Sequence, residues 1–394
     1  MPPLNAFVAR TAPPPVMEAR RWLTGLDFPA HRPLINLSQA APVDPPPEAL
    51  REAMAAMIRD EPDTHLYGPV LGHPALRSEI AWRWSALYDG EIRPEDVAIT
   101  AGCNQAFATA IMTLAEPGDA VLLPVPWYFN HKMWLDMSGI EAIPLPCDAR
   151  MHPDLAAAEA LWTPRTRAVV LVTPNNPTGA EYPSALIESF AALARSKGAA
   201  LVLDETYRDF RTAPERPHGL FTDPDWRDTL LHLYSFSKSF RLTGHRTGAL
   251  IAAPARLAEA EKILDTVTIC PPQLGQKSAL WGLRNLTDWL ASERTEILHR
   301  RAAAYAALSS LPGWRVLGCG AYFAYVEHPH PLPSNELCPL LVRDLSLLTL
   351  PGTMFAPEGD GRAKRQLRLA FANVNSEGLG ALGERLAGLG EVVG

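Results

Sequence analysis

Residues 234–248 read YSFSKSFRLTGHRTG. They follow the apolar run LLHLY (230–234), which has the length and composition of a buried strand. Within a few residues that strand gives way to Ser235, Ser237, a single Lys238 and, later, Arg246 inside a G-x-R-x-G turn. A surface loop has such a composition. So does a site that holds an anion with hydroxyls and a guanidinium and uses an amine for chemistry.

Working outward, the same apolar-to-polar step recurs. The runs DVAIT (96–100), AVLLP (120–124), AVVLVT (168–173), AALVLDE (199–205), LLHLY and GALIAA (248–253) all read as short strands. Between them lie helical stretches such as NQAFATAIMTLA (104–115) and ALIESFAALARSKG (185–198), the second closing on a glycine. Strands alternating with helices of ten or more residues predict an α/β fold, a mostly parallel central sheet flanked by helices. After residue 285 the pattern shifts to a long helix (287–310) and weaker strands, AYFAYVE (321–327) and RQLRLAFA (365–372). That shift predicts a smaller α+β domain built from N-terminal and C-terminal segments. The boundaries are 1–45 (arm and part of the small domain), 46–284 (large domain) and 285–394 (small C-terminal domain). The proline-rich start, to about residue 15, reads as an extended, polyproline-like arm that could dock on a partner subunit, and MEARRWLTG (17–25) as a short amphipathic helix.

Bulk properties narrow the function. A net charge of −7 and the lack of a basic run disfavour nucleic acid and anionic membranes as partners. Cysteines 103, 147, 270, 319 and 338 are odd in number, scattered and without a C-x-x-C pair. They give neither a complete disulfide framework nor zinc-ligand spacing, so no metal is expected and a reducing, cytoplasmic location fits best. The start of the chain lacks the apolar core of a signal peptide, and no apolar run reaches membrane-spanning length.

In parallel sheets ligands sit at the carboxyl ends of strands. DVAIT ends at Gly102, which opens a helix whose first amides, at Cys103 and Asn104, suit an anion or a plain turn. AVLLP leads to the aromatics Trp127, Tyr128 and Phe129, which suit stacking or core packing. AVVLVT delivers Asn176 before a proline. AALVLDE delivers Asp204 and Glu205, then Tyr207; an acid leaving a buried strand is costly unless it is paired or caps a helix. Taken together, hydroxyls, amides and Arg246 suit a phosphate, Lys238 a carbonyl, Asp204 a protonated ring nitrogen, Asn176 and Tyr207 a phenolic oxygen, and an aromatic the ring face. A molecule with all five features is pyridoxal 5′-phosphate.

With these motifs in order, the sequence resembles the class I/II aminotransferases, the type I fold of pyridoxal-phosphate enzymes. The matching segments are HLYGPVLGHPALR (65–77), TAGCNQA (100–106), PVPWYF (124–129), TPNNPTG (173–179), LVLDETY (201–207), SFSKSFRLTGHRTG (235–248), LPGTMFAPEGDG (350–361) and LRLAFA (367–372). The resemblance implies that Lys238 bonds covalently to the cofactor and later moves a proton at the substrate Cα, with Asp204 keeping the ring nitrogen protonated. It implies a phosphate clamp of Gly102, Cys103, Asn104, Ser235, Ser237 and Arg246, with Tyr67 reaching the phosphate of a neighbouring subunit in a homodimer. Asn176 and Tyr207 hold the ring oxygen, Tyr128 rather than Trp127 stacks on the ring, and Arg368 grips the substrate α-carboxylate.

Two departures bear on substrate. Ala40 replaces a glycine that the family places near that carboxylate. DTVTICPPQLGQ (265–276) carries no arginine, and Asn104 stands where some members carry a lysine, so neither device for an acidic substrate is present. The expected activity is transfer of an amino group between a neutral or aromatic amino acid and a 2-oxo acid by a ping-pong mechanism. A cysteine-S-conjugate β-lyase on the same scaffold is the alternative, and a catalytically silent binding module a third. Trp127, Tyr128, Phe129, Tyr322 and Phe323 are candidates for the substrate pocket, the last two equally for the core.

Overall fold

The computed structural model describes residues 2–389. After a two-residue strand β1 (Ile35–Asn36), seven strands build the central sheet. They are β2 (Val97–Thr100), β3 (Ala120–Val125), β4 (Glu141–Pro146), β5 (Thr166–Val172), β6 (Ala200–Asp204), β7 (Leu230–Ser235) and β8 (Gly248–Ile251). Their spatial order is β2-β8-β7-β6-β5-β3-β4. The β4–β3, β3–β5, β5–β6 and β6–β7 pairs are parallel, and β8 alone runs against its neighbours β7 and β2.

Apart from the edge strand β4, these strands lack the apolar–polar alternation of a half-exposed sheet because both faces are covered. Ile99, Leu122, Leu171 and Leu203 enter one hydrophobic cluster, and the alternate residues Ala98, Val121, Val170 and Val202 enter the cluster on the other face. All six strand-like runs form strands of this sheet. The seventh, β4, carries Pro144 and Pro146; it lies at the sheet edge, where proline removes no needed ladder donor.

A second, antiparallel sheet follows the 23-residue helix Thr287–Ser309. It contains β9 (Arg315–Gly320) and β10 (Phe323–Glu327), while β11 (Leu347–Leu348) pairs in parallel with β1. With β12 (Leu350–Pro351) and β13 (Gln366–Leu369) its order is β12-β13-β10-β9. Leu37, near the start of the chain, shares a core with Ile297, Phe323, Leu341, Leu367 and Leu382. Amino- and carboxyl-terminal segments therefore pack as one smaller unit.

The amino-terminal arm departs from the expected extended form. Ala6–Arg10 is helical, and the side chain of Asn5 caps it by accepting from the amides of Phe7 (2.8 Å) and Val8 (3.3 Å). The Phe7 ring lies against Gly139, where an added Cβ would come within 2.8 Å of it, so the arm docks on its own chain. The prolines that suggested an extended arm occupy the flanks, and Pro15 opens the next helix, Pro15–Arg21. Among the described residues no helix is long and apolar enough to cross a membrane.

Candidate active site

The carboxyl ends of β5, β6 and β7 open on one cavity of about 430 Å³. Its lining includes Ala40, Cys103, Asn104, Tyr128, Asn176, Asp204, Tyr207, Ser235, Ser237, Lys238, Arg246 and Arg368. Gly102 is outside this lining and caps the helix that starts at the lining residue Cys103. Of the residues anticipated to hold the cofactor or the substrate carboxylate, Tyr67 stands apart: it is 80% exposed and does not line its own chain's cavity.

At one end of the cavity Gly102 takes φ +87°, and a Cβ there would lie 2.1 Å from Nη2 of Arg246, so the guanidinium needs the missing side chain. The helix Cys103–Met112 starts at this point, and the amides of Gln105 and Ala106 are the first to turn back, onto the Gly102 carbonyl. Those of Cys103 and Asn104 remain for a ligand. Arg246, at φ +51°, donates from Nη1 to Ser237 Oγ at 3.3 Å and to the Thr243 carbonyl at 3.1 Å. Ser235 Oγ accepts from the Ser237 amide at 3.2 Å and starts the turn that carries Lys238.

Lys238 donates from Nζ to the carbonyl of Ala40 at 2.6 Å. Burial, then the like charges of Arg246 and Arg368, lower its ammonium from 10.5 to about 7. A neutral, nucleophilic amine is therefore well populated near neutral pH.

Asp204, at the end of β6, accepts from the Thr206 amide at 2.9 Å, and its other oxygen lies 3.4 Å from Nε2 of His131. Burial raises this carboxyl, but His131 and the Thr206 hydroxyl and amide outweigh it and hold the group below its usual value. His131 itself is stacked on Phe107 at 3.7 Å and meets Tyr128 edge-on at 4.9 Å. It comes from the helix Phe129–Met137 rather than a strand end, so inspecting strand ends overlooks it.

Tyr128 faces the cavity, donating to Asn104 Oδ1 at 3.3 Å and accepting from Asn130 Nδ2 at 2.9 Å. Trp127 is buried outside it, under Lys132. Tyr322 and Phe323 also lie outside: with Phe210 and the inner side of Tyr207 they form an aromatic group in the smaller core. Cavity residues that sequence inspection missed include Pro14, Val16, Met17 and Arg20, from the arm and its helix, and Gln39.

Arg368, on β13, is buried among the rings of Phe355, Phe323 and Phe129 at 5.1, 5.3 and 6.0 Å. It donates from Nη1 to Asn176 Oδ1 at 3.2 Å and from Nη2 to the Ser38 carbonyl. Burial lowers the guanidinium to about 10, and the groups that offset this are tyrosines, not carboxylates. A buried guanidinium with only neutral acceptors is a receptor for an anion.

Glu205 has a different task. His232 Nε2 lies 2.8 Å from its carboxylate and His218 Nε2 3.5 Å, while Tyr88 donates its hydroxyl to the same oxygen. Arg208 donates to Tyr88 at 3.2 Å and stacks over Trp84 and Tyr234. Glu205, His218 and His232 converge closely enough to hold a metal ion, and Tyr88 links their carboxylate to Arg208, which is itself 3.6 Å from Asp209.

A strand-end cavity with a lowered-pKa lysine, a buried carboxylate and an anion-ready arginine suits a ligand that carries a carbonyl and negative charge. The family model "Aminotransferase class I and II" matches residues 32–386. An aspartate aminotransferase of Sulfolobus acidocaldarius is 27% identical over 83% of this chain and 85% of its own. An aromatic aminotransferase of Arabidopsis thaliana, ISS1, is 27% identical over 89% and 88%. The structure of Thermus thermophilus aspartate aminotransferase with maleate superposes with a TM-score of 0.89 at 24% identity, covering 99% of this chain and all of that one. The chain belongs to the class I and II aminotransferases, and like them is a pyridoxal 5′-phosphate enzyme. The residues fit that group: the space kept by Gly102, the free helix amides, the lowered Lys238 and the anionic Asp204 meet its phosphate, aldehyde and ring nitrogen.

Proposed function

We propose that the enzyme transfers an amino group between a neutral or aromatic amino acid and a 2-oxo acid, in two half-reactions at one site. The observation that carries this is the placement of Lys238, with its amine lowered to about 7, in one cavity with Asp204 and Arg368. Pyridoxal 5′-phosphate, when bound, supplies the electron sink that stabilises negative charge at the substrate Cα. Gly102, Cys103, Asn104, Ser235, Ser237 and Arg246 bind its phosphate. Asp204, beside His131, would hold the proton on its ring nitrogen, Asn176 and Tyr207 would hold its ring oxygen, and Tyr128 would pack on its ring.

Arg368 and Asn176 orient the substrate through its α-carboxylate, which replaces the missing counter-ion of the buried guanidinium. With the cofactor bound, Lys238 would take the proton from the Cα of the donor amino acid in one half-reaction and give one to the Cα of the new amino acid in the other, for which an amine near pKa 7 is suited. The Ala40 carbonyl, 2.6 Å from Nζ, holds the amine in place, and the Ala40 methyl narrows the carboxylate end. Val16, Met17 and Phe129 give the cavity apolar contact for a neutral or aromatic side chain. Elimination from a cysteine conjugate is not favoured, since the relatives named above are aminotransferases.

The exposed Tyr67, with Leu66, Val267 and Ile269, supports a homodimer in which Tyr67 reaches the partner's phosphate site. Residues 46–284 form the cofactor-carrying unit, and 2–45 with 285–389 the unit that brings Arg368; residues 1 and 390–394 of the expected segments lie outside the described residues. The five free cysteines support a reducing, cytoplasmic setting. Steady-state kinetics test the mechanism: parallel double-reciprocal lines with varied amino acid and 2-oxo acid are expected, and intersecting lines contradict two separate half-reactions. Sedimentation of the purified enzyme as a monomer contradicts the shared site.

A further inference from the structure

Four cationic side chains line the cavity among the described residues: Arg20, Lys238, Arg246 and Arg368. The last three have tasks in the function proposed above, and Arg20 has none. It lies on the short helix Pro15–Arg21, exposed, and its hydrogen-bond partner is the neutral side chain of Gln39, Nη2 to Oε1 at 2.7 Å. The one carboxylate in the lining, Asp204, is already engaged by Thr206 and His131. Gln39 stands between Ser38, whose carbonyl holds Arg368, and Ala40, whose carbonyl holds Lys238. Arg20 is therefore tethered, by a bond a better acceptor can displace, to the segment that frames the substrate.

Helix periodicity adds a second observation. Val16 and Met17 precede Arg20 by four and three residues, so all three share one helix face, and all three line the cavity. That face offers apolar surface to a neutral side chain and a guanidinium to an acidic one.

We propose that Arg20 is a specificity-determining residue that takes the second carboxylate of a dicarboxylic 2-oxo acid, the amino acceptor, and stays on Gln39 when the substrate side chain is neutral or aromatic. Exchanging a neutral amide for a carboxylate gives a charge-assisted, two-pronged contact. Because Arg20 is exposed, little desolvation opposes the exchange. The inference rests on the function proposed above, with Arg368 holding the α-carboxylate.

Two acids that differ only in the terminal group test it: 2-oxoglutarate and 2-oxopentanoate, as acceptors for holoenzyme charged with a donor amino acid. In the wild type kcat/KM favours 2-oxoglutarate, and in Arg20→Met that ratio falls by about tenfold or more, with Arg20→Lys between the two. Calorimetric binding of glutarate and pentanoate, which do not react, gives the same ratio without turnover. A ratio unchanged in both variants overturns the proposal. If no amino acid charges the enzyme, the underlying function falls, while the glutarate-to-pentanoate ratio still decides the role of Arg20.

Discussion

Nη1 of Arg368, on the antiparallel sheet, donates at 3.2 Å to Oδ1 of Asn176, in the turn that follows β5 of the seven-stranded sheet. This bond ties the guanidinium that meets the substrate to the amide that meets the cofactor, so the smaller unit is in register with the chemistry. Replacing Arg368 with Lys keeps a charge but loses the fork. The expected outcome is a KM for amino acids raised about 10- to 100-fold, with the absorption of the lysine-bound cofactor retained. Arg368→Met also removes a like charge from Lys238, so the amine's pKa rises above about 7. A pH titration of its reactivity in the apoprotein reads the shift, and an unmoved midpoint contradicts the coupling.

The lowered pKa of Lys238 makes stability depend on pH in a defined direction. Between about pH 7 and 10.5 the folded apoprotein binds fewer protons at this lysine than the unfolded chain does, so stability rises with pH across that window. Below pH 7 both states carry the proton and the cost of burying the charge is felt in full. Lys238→Met apoprotein is therefore more stable than the wild type at pH 6.5 or so, with an advantage that shrinks towards pH 10.5. Thermal midpoints across that range test this; a constant difference contradicts it.

His131 helps hold the Asp204 carboxyl low. In His131→Asn that contribution is lost and the Asp204 pKa rises, so the carboxylate is protonated at a higher pH on acidification. Cofactor affinity, measured by fluorescence titration from pH 4 to pH 8, is expected to begin its acid loss at higher pH in the variant. Identical acid limbs would remove His131 from the ring-nitrogen site.

Glu205 is the negative centre of a buried group that includes His232, Tyr88 and Arg208. Glu205→Ala leaves those partners uncompensated and is expected to cost about 3–5 kcal/mol in urea unfolding. Glu205→Gln, which keeps the shape and some hydrogen bonds, is expected to cost less. Equal losses would show that the charge itself contributes little.

Strands covered on both faces are short and continuously apolar, and this is why six of the seven strands of the main sheet are visible in the sequence. Polar residues directly after such strands, as at Asp204 and Lys238, stand out by contrast. Strand β4 does not, because Pro144 and Pro146 are tolerated only at an edge, and edge position is a property of the assembled sheet. His131 and Arg20 reach the site from helix faces, where one polar residue among many carries no positional signal. The arm misleads differently: its prolines sit outside the helix that Asn5 caps. Tyr322 and Phe323 are ambiguous until β10 places them in the small core rather than the cavity.

The central claim is that one site accepts an amino group from one substrate and gives it to another. Adding single amino acids to the purified holoenzyme and recording its absorption tests this most directly. The expected result is a shift of the cofactor band with at least one neutral or aromatic amino acid, reversed on adding a 2-oxo acid. A band unmoved by all twenty amino acids, or release of pyruvate and ammonia from a cysteine conjugate without any acceptor, would contradict it.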